Sequence, residues 1–192
     1  MPTGVALRDA REQLFDAAER VLLREGPDGL TSRAVTTEAG CAKGVLHKYF
    51  TDFDGFLAEL VLDRIRRLDG QAEVLLKSAG QGSVAGNLTA MLTELFGSVA
   101  VAIVSLTISR DSLRARLRAA VPTGVPILTE AGQVLLDYLA AEQKHGRIPP
   151  EADLNTLGLT LIGSTHLLFA DRTGTRPTVA EVRAFVESVL PR

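Results

Sequence analysis

In the stretch from Thr31 to Phe56, TSRAVTTEAGCAKGVLHKYFTDFDGF, the segment after Gly40 carries three side chains that could meet a negatively charged partner: Lys43, His47 and Lys48. An ammonium group and an imidazole are the types that reach phosphate oxygens and base edges. On a helix, Lys43 and His47 lie four apart and share a face. Between Ser32 and Tyr49 the remaining charges are Arg33 and Glu38, so the segment is locally basic. The chain as a whole is not, because its 192 residues carry a net charge of −2 and a pI near 5.9. Nucleic-acid-binding domains often exceed a pI of about 9. Any such contact must therefore be confined to one small face.

Other chemical groupings are weaker. His166 follows Ser164 and Thr165, but helical neighbours one or two apart point in different directions, so they form no nucleophile and base. His166 is expected instead to satisfy a core or interface hydrogen bond. No paired carboxylates, base-oriented nucleophile or metal-ligand cluster stands at workable spacing, so neither an enzyme nor a cofactor is expected. Gly80, Gly82 and Gly86 follow no strand and precede no Lys-Ser or Lys-Thr, and read as a loop. Arg110, Arg114, Arg116 and Arg118 read as a solvated helix face with their stems against apolar surface. The single cysteine, Cys41, excludes an internal disulfide and acts as a small hydrophobe.

The elements that must position Lys43, His47 and Lys48 are helical. Leu14, Ala18, Val21 and Leu22 recur at one-face spacing in a helix expected over Arg8–Glu25, which Gly26 ends. Thr31 can cap a second helix, Ser32–Ala39, and Gly40 can stop it, since glycine takes a positive φ freely. A third helix is expected over Ala42–Phe50, with Leu46 and Phe50 facing inward. Asp52 can cap a fourth, from Phe53 to about Ser78. Two-turn helices are marginal alone and must pack together. Two short helices joined by a tight glycine turn on a preceding helix describe a helix-turn-helix. In that arrangement Lys43, His47 and Lys48 project where a major groove would lie, and Gly44 leaves room for another backbone.

Beyond it the expected helices are Val84–Leu106, Asp111–Ala120, Pro126–Lys144, Glu151–Asp171 and Thr178–Leu190. Val99–Ile108 is rich in β-branched residues that also suit a strand. Thr178 and Glu181 form a capping-box pattern. Leu154, Leu161, Thr165 and Leu168 in one late helix, and Val182, Phe185, Val186 and Val189 in the other, make stripes wide enough to pack against a second copy. The N-terminus, MPTGVALRDAREQ, lacks a secretory pattern. The longest apolar run, Gly97 to Ser109, is too short to span a bilayer. A cytoplasmic protein with no membrane partner is expected.

Three pieces, LFDAAERVLLREGPDGLT, AVTTEAGCAKGVLHKYF and DFDGFLAELV, resemble the DNA-binding domain of the TetR family of transcriptional regulators. The resemblance covers the first fifty-odd residues; after about Leu60 only the helical plan and length match. It departs at His47, where the family usually has Tyr, and at Val45, where Ser or Thr is usual. It departs again at Phe53, which replaces a lysine and is flanked by Asp52 and Asp54. The resemblance implies an all-α protein, with a helix-turn-helix domain over 1–53 and a larger ligand-binding and dimerisation domain over 54–192. It implies double-stranded DNA with a palindromic operator as partner, contacted by Ser32, Arg33, Ala42, Lys43, Gly44, Val45, His47 and Lys48. It also implies a homodimer and a small-molecule effector. Met91, Leu92, Leu95 and Phe96, with Leu135 and Tyr138 opposite, are the candidate pocket lining. The expected function is repression relieved by a lipophilic ligand. The alternative is a helical ligand-binding protein or enzyme that uses its cavity without DNA.

Overall fold

The computed structural model describes residues 4–42, 44–171 and 175–191, with side chains from Ala10 onward. Among the described residues there are ten helices and no strand. They are α1 Gly4–Gly29, α2 Ser32–Glu38, α3 Val45–Tyr49, α4 Phe53–Lys77, α5 Val84–Gly97, α6 Ala100–Ser109, α7 Asp111–Leu117, α8 Leu128–Lys144, α9 Leu154–Ala170 and α10 Val179–Val189. The fold is all-α, as the periodicity indicates. No single helix among the described residues is long and apolar enough to cross a membrane.

The chain divides into two compact units, and the first is not continuous in sequence. It joins residues 1–63 to 102–126, whereas the second comprises 64–101 and 127–192. In the first unit α1 packs on α2, and α2 on α3. Leu14, Ala18, Val21, Leu22, Val35 and Leu46 are buried there. Phe15, Phe50 and Phe56 form a ring cluster with centroids 4.9 to 5.8 Å apart, pinning the end of α3 between α1 and α4. Aromatic pairs at such spacings contribute about 0.5–1.5 kcal/mol each beyond area burial. Gly26, at φ 77, breaks the regular path of α1 ahead of Pro27, although helical geometry resumes to Gly29.

In the second unit α5 packs on α9 and α10, and α9 on α8 and α10. The expected single helix over Val84–Leu106 is two helices, α5 and α6. Ser98 takes an extended conformation between them, and its hydroxyl accepts the Ala100 N–H at 3.2 Å, restarting the chain as a helix. Residues 100–108, which pass into the first unit at residue 102, are helical rather than extended, and Val99 to Val104 are all buried. A helix apolar on every side is a buried helix. The capping box at α10 forms: the Thr178 hydroxyl accepts from Glu181 N at 3.3 Å, and Glu181 Oε2 accepts from Thr178 N at 2.8 Å.

A buried polar network ties α8 to the turn after α4. Glu142 is fully buried; its carboxylate accepts from the Tyr138 hydroxyl at 2.5 Å and from Gly80 N at 3.2 Å. Arg147 pairs with it at 3.3 Å and donates to the carbonyls of Gln81 and Gly82. Burial and then the bond to Glu142 push the Tyr138 phenol up to about 12. The glycine-rich segment is therefore a loop held by its backbone carbonyls and one N–H.

Candidate nucleic-acid interface

The turn before α3 is built from the end of α2. Thr31 Oγ1 accepts from Ala34 N at 3.1 Å and fixes where α2 begins. At its other end Gly40 has φ 65, and two reversed bonds close the helix: Gly40 N to Thr37 O at 3.1 Å and Cys41 N to Thr36 O at 3.0 Å. This is the Schellman arrangement, which satisfies two orphan carbonyls and needs a left-handed residue at its centre. Cys41 is half-buried and free beside it. The chain then turns into α3, whose five residues bury Leu46 and expose His47 and Lys48.

The expected contact residues fall as follows. Arg33, Ala42, Gly44, His47 and Lys48 are exposed, while Ser32 and Val45 are half-buried. Lys43 lies outside the described residues. The Lys48 ammonium sits 5.5 Å from the Tyr49 ring centroid. Glu38, the one acid of the segment, is turned toward α1, with Arg20 Nε at 2.7 Å and Arg24 Nη1 at 3.0 Å. The Arg20 bond, then the Arg24 bond, hold its carboxyl below the usual range. Its charge is thereby compensated away from α3.

The start of α4 differs from expectation in its partners. Asp52 caps the helix, its Oδ1 accepting from Gly55 N at 2.8 Å, and its Oδ2 pairs with Arg116 at 2.6 Å. The Gly55 bond, then Arg116, hold Asp52 below the ordinary carboxylate range. Arg110 pairs with Asp54 at 3.3 Å, and its guanidinium lies 5.5 Å from the Phe53 ring centroid. Arg114 pairs with Asp111, and Arg118 donates to the carbonyls of Pro122 and Gly124. The arginines expected as a solvated face are thus engaged, two of them clasping the first turn of α4.

In the second unit the residues named for a ligand divide. Leu92, Leu95, Phe96, Leu135 and Tyr138 are buried, and none lines the groove that opens there. Met91 lines it. This groove, about 510 Å³, runs between α4 and α5, with Val74, Leu75 and Ala90 as further apolar walls. Gln71 and Glu94 hydrogen-bond to each other at 2.8 Å along its edge. Periodicity could not separate Met91 from its buried neighbours, because one helix face supplies both groove wall and core.

The residues named for a dimer interface divide too. Leu161, Thr165, Val182 and Val186 are buried within the chain itself, Leu154, Phe185 and Val189 are half-buried, and Leu168 is exposed. The apolar side chains left at the surface are Leu159 and Leu167, 75% and 73% exposed, with Leu168 and Val179. His166 makes no core hydrogen bond through its Nε2, which has no partner among the described residues. Its ring lies edge-on to Phe96, and burial pushes its pKa down.

Comparison with known proteins agrees with this geometry. Residues 14–60 match the family of bacterial regulatory proteins named tetR. The HTH-type transcriptional regulator PksA of Bacillus subtilis (strain 168) is 36% identical over 73 residues, a match covering 34% of this chain and 36% of PksA. The chain thus spans about a third of that relative's length. Among solved structures, Escherichia coli NemR in its reduced form superposes with a TM-score of 0.74 at 14% identity, over 95% of this chain and 97% of that one. The transcriptional regulator FadR of Bacillus subtilis, in complex with stearoyl-CoA, gives 0.64 at 19% identity, over 93% and 94%. Such low identities speak for the fold alone, and the family likeness rests on residues 14–60. Over residues 14–60, with α1 to α3 in this arrangement, the chain resembles the TetR family of bacterial regulatory proteins.

Proposed function

We propose that the protein is a transcriptional repressor that reads a palindromic operator as a twofold dimer and is released by a lipophilic small molecule in the cytoplasm. The observation that carries DNA reading is the exposed pair His47 and Lys48 on α3, with Glu38 paired away on α1. Ser32, Arg33, Ala42, Lys43, Gly44 and Val45 complete the proposed set of contact residues. DNA reading is assigned to residues 1–53, and ligand and partner binding to 54–192. The apolar walls of the α4–α5 groove support an effector with a hydrocarbon portion, as does the stearoyl-CoA bound by FadR. Such a ligand lowers operator occupancy only by preferring the arrangement that binds DNA poorly.

The test is a duplex selected from random DNA and titrated at several salt concentrations. Lys48→Ala is expected to weaken binding and to reduce the log–log salt slope by about one, the signature of one neutralised phosphate. Unchanged affinity and slope would remove Lys48 from the interface. Failure of the parent protein to select any duplex would overturn the DNA reading itself.

Dimerisation is assigned to α9 and α10, through Leu159, Leu167, Leu168 and Val179 together with Phe185, Val189 and Leu154. Twofold symmetry is also what a palindromic operator requires. Replacing Leu159 and Leu167 with Glu alters exposed positions, so the stability of the single chain should move by no more than about 0.5 kcal/mol per site. Sedimentation should then show folded monomers that bind the operator weakly. A double variant that still sediments as a dimer would sink this interface.

A further inference from the structure

The five residues of α3 are too few to hold a helix by their own hydrogen bonds. Its orientation must come from what grips its ends. Leu46 and the Phe15–Phe50–Phe56 cluster grip the inner side. At its C-terminal end, one side chain from α1 makes three contacts. Arg11 Nη1 donates to the Tyr49 carbonyl at 3.4 Å, its guanidinium carbon lies 4.6 Å from the Phe50 ring centroid, and it forms an ion pair with Glu59 of α4.

These contacts use different atoms of one planar group: its central carbon over the ring, Nη1 toward a carbonyl and Nη2 toward a carboxylate. Lysine has no such fork, because its ammonium is a point charge. The positive charge also sits at the end of α3 where helix carbonyls leave partial negative charge. Arg11 therefore touches the end of the reading helix, the residue that follows it, and the helix beyond.

We propose that Arg11 is the positioning residue of the DNA-reading helix, setting the tilt of α3 and with it where His47 and Lys48 meet the duplex. The proposal rests on the DNA-binding reading above. Arg11 acts through the Tyr49 carbonyl, the Phe50 ring and Glu59, and makes no contact with DNA itself.

The experiment measures, for the full-length protein and its variants, the affinity for the selected operator, the affinity for unrelated duplex, and the salt slope of each. Arg11→Lys keeps the charge and loses the fork; Arg11→Ala loses both. Both variants should lower the ratio of operator to unrelated-duplex affinity about tenfold, roughly the cost of one misplaced base contact. Binding to unrelated duplex and both salt slopes should stay at parental values. Glu59→Gln, which leaves the Tyr49 and Phe50 contacts, should lower the ratio less than either.

Three outcomes would overturn the proposal. One is an unchanged ratio in Arg11→Lys, which would mean that charge alone suffices. Another is a salt slope that falls by about one in Arg11→Ala, which would make Arg11 a phosphate contact. The third is a parallel loss on both duplexes with a lowered melting temperature, which would make its role generally structural. If Arg11→Ala does not fold, Arg11→Lys and Glu59→Gln decide alone. A parent protein that selects no operator is a different result, and removes the DNA-binding reading instead.

Discussion

Gly44→Leu should abolish operator binding, by at least about a hundredfold, while the protein melts within a few degrees of its parent. Two facts protect the fold. Gly44 has φ −78, a conformation open to any residue, and a Cβ built there meets no atom within 4 Å. Gly44 is also exposed, immediately before α3. In the proposed complex a leucine side chain would occupy space needed by the duplex. Holding α3 away loses several contacts at once, each worth about 1–3 kcal/mol when a base is misread. Fluorescence anisotropy with the selected duplex, beside a thermal melt, gives both quantities. Normal binding would show that α3 does not approach DNA at Gly44.

The second large effect lies in the other unit and concerns stability. Arg147→Ala strands the fully buried Glu142 carboxylate and frees the carbonyls of Gln81 and Gly82. Removing one partner of a buried ion pair costs about 3–5 kcal/mol, and the partial exposure of Arg147 favours the lower end. Chemical denaturation should therefore report a loss of about 3 kcal/mol. Adding Glu142→Gln should recover at least about 1 kcal/mol. The amide can still accept from Tyr138 or Gly80, and no unpaired charge remains. A loss below about 1 kcal/mol for Arg147→Ala would show that the pair does not hold the loop.

The helix-turn-helix was legible because local chemistry determines it. Thr31 and Gly40 each have a backbone task within a few residues, and the same holds for Thr178 with Glu181. What escaped depends on partners distant in sequence. Nothing near Asp52 or Asp54 points to Arg116 and Arg110, and nothing near Glu142 points back to Gly80. Helix α9 failed for another reason. It is apolar on most of its surface, so its spacing could not tell the monomer core, Leu157, Leu161 and Ile162, from the outer face, Leu159 and Leu167. Ser98 did carry a local signal, a capping residue inside an apolar run, which the periodicity of its neighbours masked.

The clasp on the first turn of α4 bears on the order in which the protein is made. Chains emerge from the ribosome N-terminus first, and domains tend to fold as units when complete. Helix α3, the proposed DNA-contacting helix, is synthesised early, yet Arg110 and Arg116 arrive only after α5 and α6 have followed. Until then Asp52 and Asp54 lack these counter-charges, and the first unit lacks residues 102–126. A chain cut short before Arg110 would carry every proposed DNA-contacting residue without the pieces that steady them. Prematurely terminated products would thus compete poorly for the operator, leaving it to finished chains.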